Sequence, residues 1–145
     1  MSEVSTFRLY LMRAMYLLIF VGLGSEIWPI IIHHAKPWDL MHGVACSLLA
    51  ALSAMMALGI RYPLQILPML LFELLWKAIW LLAVGLPLWS AHQLDPDTMD
   101  TFKACLMGVV LCLIVIPWPY VLANYLKKTG DRWSRVAQRK AVISP

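Results

Sequence analysis

The stretch LQILPMLLFELLWKAIWLLAVGLPLW, from Leu64 to Trp89, decides the fold class because it is long and apolar around a single acid and a single base. An α-helix rises about 1.5 Å per residue, so a hydrocarbon core about 30 Å thick is crossed by about 20 residues. The stretch is longer than that. Glu73 and Lys77 lie near its centre, where each charge costs roughly 2.5–3.5 kcal/mol on insertion scales. Charges kept at that depth usually bind, conduct, react or hold helices together.

Composition extends this interpretation to the whole chain. The 145 residues are 61% hydrophobic and 14% charged, whereas a soluble domain is typically about 25% charged. Mean hydropathy is +0.74. Apolar stretches predict membrane spans over residues 8–32, 40–60, 64–89 and 104–126, followed by a basic tail over residues 127–145. The sequence therefore predicts an all-α integral membrane protein, a four-helix transmembrane bundle in a single membrane domain.

The distribution of lysine and arginine predicts the orientation of the bundle. If the spans alternate, most basic residues fall on one side, two fall on the other, and Lys77 lies inside the membrane. The majority side holds Arg8, Arg13, Arg61, Lys127, Lys128, Arg132, Arg135, Arg139 and Lys140, and the other side holds Lys36 and Lys103. Basic residues concentrate in the cytoplasmic segments of membrane proteins. We expect both termini in the cytoplasm and multi-pass insertion into a bacterial-type inner membrane.

The first span also has features of a signal peptide. The segment from Arg8 to Ser25 has a charged start, an apolar centre and the small residues Gly22 and Gly24 near its end. We expect an uncleaved anchor, and cleavage is the alternative.

Small residues predict where the helices pack, because close approach replaces the hydrophobic effect between helices in lipid. In the second span they recur at three- and four-residue steps, at Gly43, Ser47, Ala50, Ala54 and Ala57. In the fourth span they recur at steps of four, at Ala104, Gly108 and Cys112. We expect both faces to point inward and these two helices to pack most tightly against each other.

Prolines predict irregularities in two spans. Pro117 and Pro119 bracket Trp118 near the end of the fourth span, and proline inside a helix removes a backbone hydrogen bond and clashes with the preceding turn. We expect a kink or an early end of the regular helix there. Pro68 lies one turn before Glu73 and is expected to bend the third helix.

Glu73, Trp76, Lys77 and Trp80 share one helical face, since they follow i, i+3, i+4, i+7 spacing. One interpretation is a self-neutralising pair that fixes helix register. The other is a pocket for an apolar or amphiphilic ligand, with Glu73 and Lys77 at its base and the two tryptophans at its sides. If the protein is an enzyme, Glu73 would move a proton and Lys77 would stabilise developing negative charge. Glu26 is either a second partner for Lys77 in this site or an exposed residue at the outer interface.

A second cluster contains the histidines. His33, His34, His42 and His92 all fall on the expected outer side together with Asp39, and imidazole and carboxylate ligands suit Zn, Cu or Fe. The spacing matches no defined metal motif. The alternative is a set of interfacial polar residues, with Asp39 as the N-cap of the second helix.

The remaining features narrow the class of function. Cys46, Cys105 and Cys112 lie in spans and form no C-x-x-C, which disfavours a disulfide-relay enzyme. Nucleotide-binding and standard hydrolase motifs are absent from the sequence. The basic tail favours binding to anionic lipid headgroups, and nucleic acid is not expected as a partner.

Three short patterns in the chain carry a family resemblance. These are Asp39-x-x-His42-Gly43, the turn Arg61-Tyr62-Pro63, and Glu73-x-x-x-Lys77 followed by Leu86-Pro87. In these patterns the chain resembles small bacterial DoxX-like membrane proteins. The resemblance implies four spans in a chain of similar length. It implies no catalytic residue, because that family is functionally diverse.

These observations favour an intramembrane binding site for a lipophilic small molecule such as a quinone, lipid or sterol-like compound, with acid–base chemistry at Glu73 as an added option. Two alternatives come from other classes. One is a non-catalytic accessory subunit of a membrane complex, and the other is an ion- or proton-translocating homo-oligomer. The sequence specifies no cofactor and leaves open whether the protein is an enzyme.

Overall fold

The computed structural model describes residues 4–33 and 37–131, and the regular secondary structure of these ranges is helical, with no strand. The α-helices are α1 (Thr6–Ile32), α2 (Leu40–Arg61), α3 (Leu67–Trp80), α4 (Leu86–Ser90), α5 (Pro96–Val115) and α6 (Trp118–Val121), with π-helical segments at Leu81–Gly85 and Leu122–Lys127. Four helices are long and apolar enough to cross a membrane: Thr6–Ile32, Leu40–Arg61, the continuous helix Leu67–Ser90 and Pro96–Val115. The prediction of an all-helical fold with four long apolar helices is confirmed.

The fourth span differs from the expected residues 104–126. It begins at Pro96, because the Asp95 side chain caps the helix and proline is preorganised for the first helical turn. It ends at Val115, because Ile116 precedes Pro117 and adopts an extended conformation (φ −63°, ψ 128°). The predicted early end at this proline is confirmed.

The chain divides at that point into two compact units, and residues 4–116 form the unit that contains all four long helices. The second unit includes the segment from Pro117 onward, described as far as residue 131. There α6 starts from Pro117, whose carbonyl accepts a hydrogen bond from the Val121 N–H at 3.0 Å. Most of the basic tail, residues 132–145, lies outside the described residues.

Side-chain caps fix the starts of three long helices. Ser5 accepts from the Arg8 N–H at 3.2 Å, Asp39 from the His42 N–H at 3.4 Å, and Asp95 from the Thr98 N–H at 2.8 Å. The third helix instead begins at Leu67 with Pro68 in its first turn. There the missing N–H of proline would have no helical partner in any case, so the expected bend at Pro68 is wrong.

Helices α1 and α2 form a close antiparallel pair through small residues. A Cβ atom added to Gly59 would lie 2.5–2.7 Å from the ring of Tyr16, and one added to Gly24 would lie 2.7 Å from the Ser53 Oγ atom. The Tyr16 hydroxyl donates to the Pro63 carbonyl oxygen at 2.7 Å. The pair is therefore fixed by contacts that a larger residue at either glycine would displace.

The expected packing of α2 against α5 is wrong. Helix α2 packs on α1, α5 packs on α3, and α2 and α5 do not contact each other. On α2 the residues Ser47, Ala54 and Ala57 are exposed, and the buried face is instead Cys46, Ala50, Ser53, Met56 and Gly59. Small residues permit close approach on any face that carries them. The bulky neighbour that fills the space, here Tyr16, selects the face.

Two arginines of α1 bind the ends of other helices. The Arg8 guanidinium donates to the carbonyl oxygens of Ile114 and Val115 at the end of α5, and Arg13 Nε donates to the Ile60 carbonyl oxygen at 3.1 Å at the end of α2. The last carbonyls of a helix have no helical partner and carry partial negative charge, so cations stabilise them. The start of α1 therefore lies beside the ends of α2 and α5.

The exposed face of the third helix is apolar, whereas its charged pair faces inward. Phe72, Leu75, Ile79 and Leu82 are exposed, whereas Glu73 is only 1% exposed. This reverses the pattern of a surface helix in a soluble protein. It is the pattern expected when the surrounding solvent is lipid.

Candidate functional site

Glu73 is bound on both carboxylate oxygens by residues of its own helix. Lys77 Nζ lies 2.6 Å from Glu73 Oε1, and Trp76 Nε1 donates to Glu73 Oε2 at 2.6 Å. The predicted i, i+3, i+4 spacing on one helical face is confirmed for these three residues. The carboxylate therefore has a donor on each oxygen before any neighbouring helix is considered.

Burial differs between the two charged partners. The Glu73 side chain is 2% exposed and the Lys77 side chain is 16% exposed. An ammonium has three donors. One is directed to Glu73, and the Lys77 Nζ atom also lies 5.6 Å from the centre of the Trp76 ring. Over the described ranges, Lys77 has no second oxygen acceptor, so the accessible polar group of the pair is an ammonium with unused donors.

Helix α5 supplies the opposite wall of this site. Its face toward α3 carries Cys105, Gly108 and Cys112, all buried. A Cβ atom added to Gly108 would lie 2.5 Å from Lys77 Nζ and 2.9 Å from its Cδ atom. The lysine side chain therefore lies directly on the glycine, in a space that an alanine would close.

The predicted contact of Gly108 with the second span is wrong, because Gly108 faces Lys77 on α3. The signal was present as the i, i+3, i+7 spacing of Cys105, Gly108 and Cys112, which marks one face of a helix. Spacing alone does not identify the partner helix.

Trp80 lies one turn beyond Lys77, in a different environment. A Cβ atom added to Gly85 would lie 3.0 Å from the Trp80 ring and 2.9 Å from the Phe102 ring. Gly85 ends the π-helical segment Leu81–Gly85, and such segments are frequent near functional sites. Trp80 therefore packs near Phe102 of α5, and the tryptophan in contact with the Lys77 ammonium is Trp76.

Glu26 is not the partner of Lys77. Its side chain is exposed, α1 and α3 do not contact each other, and the ion pair of Lys77 is made with Glu73. Of the two interpretations of Glu26, exposure near the end of α1 agrees with the structure. Its assignment as a ligand-binding residue remains a prediction.

The histidines and Asp39 of the predicted metal site lie in several different environments. Asp39 caps α2. The His42 Nε2 atom lies 3.6 Å from Cys46 Sγ, and the His42 ring meets the Trp38 ring edge-on at 5.5 Å. His33 and His92 are exposed, and His92 has a positive φ of 54° in the turn before α5.

His34 lies outside the described residues. Within the described part of the chain, no three or more His, Cys, Asp and Glu side chains are grouped to hold a metal ion. The metal site therefore stays a prediction for the set His33, His34, Asp39, His42 and His92.

No protein-family model, curated protein or solved structure matches this chain.

Proposed function

We propose that this protein is a multi-pass protein of a bacterial-type inner membrane that binds a lipophilic small molecule at Lys77. The observation that carries the proposal is the asymmetry of the buried pair. Glu73 is enclosed with both oxygens bound, whereas the Lys77 ammonium is partly exposed and has unused donors. Ionisable groups inside a membrane are usually functional, and a donor of this kind suits a ligand with a polar acceptor on an apolar body.

The three side chains have different roles in this proposal. Lys77 contacts the ligand. Glu73 and Trp76 are positioning residues, because the carboxylate holds the ammonium and the indole N–H holds the carboxylate. Proton transfer by Glu73 would first require one of its two hydrogen bonds to be exchanged. We therefore assign Glu73 to positioning rather than to acid–base catalysis.

The basic residues support an orientation with both termini in the cytoplasm. Arg8 and Arg13 lie near the start of α1, and Arg61 lies at the end of α2, on the same side of this antiparallel pair. The positive-inside rule expects such a side to face the cytoplasm. The resemblance to DoxX-like proteins supports four spans and adds nothing about the ligand.

Native mass spectrometry from a mild detergent tests the proposal. We expect the wild-type protein to carry a small lipophilic molecule that the Lys77→Met variant lacks. A stoichiometric protein partner instead would support an accessory subunit. A closed homo-oligomer without a bound molecule would support the translocating alternative.

Paired variants separate a binding site from a structural ion pair. Glu73→Gln and Lys77→Met should each lower the free energy of unfolding by about 3 kcal/mol, because each leaves a buried group without its partner. The double variant should recover much of that stability and still fail to bind. If the double variant binds as the wild type does, the pair is structural and the proposal is wrong.

A further inference from the structure

We infer that the ligand of Lys77 is an uncharged lipophile that presents a carbonyl-type oxygen, and that carboxylates and phosphates are excluded. This inference rests on the proposed function and specifies its ligand class. Ketone, ester and quinone oxygens belong to the accepted class. Free fatty acids and phosphorylated lipids belong to the excluded class.

The site at Lys77 carries no net charge. Glu73 and Lys77 are 2.6 Å apart and neutralise each other. An anion brought beside this pair would add a third charge with no counter-charge, in surroundings where an unpaired charge is costly. An uncharged oxygen accepts an N⁺–H hydrogen bond from Lys77 without that cost.

A bound anion would need a second cation beside the pair, and the wall that faces Lys77 supplies none. The facing wall of α5 consists of Cys105, Gly108 and Cys112, which carry no positive charge. On α1 the guanidinium groups of Arg8 and Arg13 bind carbonyl oxygens at helix ends. On α2 the Arg61 guanidinium lies over the Tyr62 ring, 5.3 Å from its centre. Lys103, the cation of α5, is exposed and lies five residues before Gly108. The buried wall that faces Lys77 therefore offers an anion no second cation.

Glu73 is held in place, so an anion does not readily displace it from Lys77. The Trp76 N–H holds Glu73 Oε2 at 2.6 Å and the side chain is buried. On the other side, Gly108 leaves the ammonium lying against α5. The pair therefore keeps its geometry while the unused donors of Lys77 donate hydrogen bonds to the ligand.

Two matched probes test the ligand class, dibromostearic acid and its methyl ester. They share one brominated chain, which quenches tryptophan fluorescence, and differ in the charge of the head group. Titrations in mild detergent, at a pH where the acid is ionised, measure the saturable quenching of the full-length protein. We expect the ester to bind about tenfold or more tightly than the acid, and Lys77→Met to remove the saturable quenching.

Glu73→Gln provides the decisive variant, because it keeps the cation and removes its counter-charge. We expect its preference to reverse, so that the acid binds more tightly than the ester. Gly108→Ala should weaken ester binding, since the added methyl group displaces the ammonium, and it keeps the test informative if Lys77→Met does not fold.

The outcomes separate the inference from the proposed function. If the wild type binds the acid as tightly as the ester, or if Glu73→Gln leaves the preference unchanged, the ligand class is wrong and the site stands. If neither probe shows saturable binding that depends on Lys77 or Gly108, the proposed function is wrong, and the ligand class is wrong with it.

Discussion

At the scale of single residues, the central fact is that the bonds to Glu73 come from within α3. Both donors, Trp76 and Lys77, lie within four residues of the carboxylate. The charged cluster can therefore form as soon as the helix forms, and α5 needs only to enclose it. A ligand would meet a preorganised donor, which lowers the entropic cost of binding.

The Trp76→Phe variant tests this local arrangement. It keeps an aromatic ring and removes the N–H that binds Glu73 Oε2, so a buried carboxylate oxygen loses its donor. We expect the free energy of unfolding to fall by about 1–3 kcal/mol, measured by denaturation in detergent.

Trp80→Phe is the matched control on the same helix. The Trp80 indole donates no hydrogen bond to a residue of the described ranges, and its ring packs near Gly85. We expect a smaller loss. Equal losses for the two variants would contradict a role for the Trp76 N–H.

Periodicity predicted which residues share the face of α3, because the 3.6-residue repeat fixes where Glu73, Trp76 and Lys77 point. It could not predict the Trp76 to Glu73 hydrogen bond, which depends on side-chain rotamers. It also could not predict that Gly108 faces Lys77, because that contact joins two helices far apart in the sequence.

At the scale of elements, hydropathy located the first two spans to within two residues at each end, because apolar length dominates there. It misplaced the fourth span. Local backbone chemistry at Asp95, Pro96 and Pro117 sets the limits of α5, and that chemistry overrides the apolar stretch that continues to Leu126.

The glycines of the α1–α2 pair allow a controlled test of packing. Gly59→Ala would place a methyl group within 2.5–2.7 Å of the Tyr16 ring, whereas a Cβ atom at Gly22 would meet nothing within 4 Å. We expect Gly59→Ala to destabilise the protein by about 1–3 kcal/mol through overpacking. Gly22→Ala should stabilise it by about 0.5–1 kcal/mol through helix propensity. Thermal melting of both variants in one detergent measures the difference, and equal melting temperatures would contradict the close contact.

The start of α5 predicts a pH dependence. Hydrogen bonds from the Thr98 side chain, and then from its backbone N–H, lower the pKa of Asp95 below its ordinary value. A carboxyl whose pKa is lower in the folded state stabilises that state at pH values above its unfolded pKa of about 3.9. This stabilisation is lost as the pH falls through the pKa of the folded state.

Asp95→Asn keeps a capping side chain and removes the charge. We expect the melting temperature of the wild type to fall relative to this variant as pH drops below about 4. A constant difference between the two proteins over that range would show that the charge of Asp95 does not stabilise α5.

At the scale of the unit formed by residues 4–116, the helices contact one another as neighbours in a cycle. Helix α1 contacts α2 and α5, and α3 contacts α2 and α5, while the opposite pairs α1–α3 and α2–α5 are apart. Short connections favour this order, because consecutive antiparallel helices pack side by side. The stripes of small residues suggested a different order, since such a stripe fits any neighbour that comes close.

The proposed topology rests on this order and on the positions of the basic residues. A fluorescent protein that folds only in the cytoplasm should be fluorescent when fused to the C-terminus. A phosphatase that is active only outside the cytoplasm should be active when inserted in the turn at residues 91–95. The opposite pair of results would place both termini outside and contradict the proposed orientation.

The two arginines of α1 also bear on how the protein is made. Arg8 precedes its acceptor Ile114 by 106 residues, and ribosomes add about 5–20 residues per second, so α1 waits about 5–20 s for α5. If the protein inserts into a membrane as proposed, lipid phosphates and interfacial water are the acceptors within reach of Arg8 during that interval. On that proposal, docking of α5 exchanges a lipid contact of Arg8 for a contact with the protein backbone.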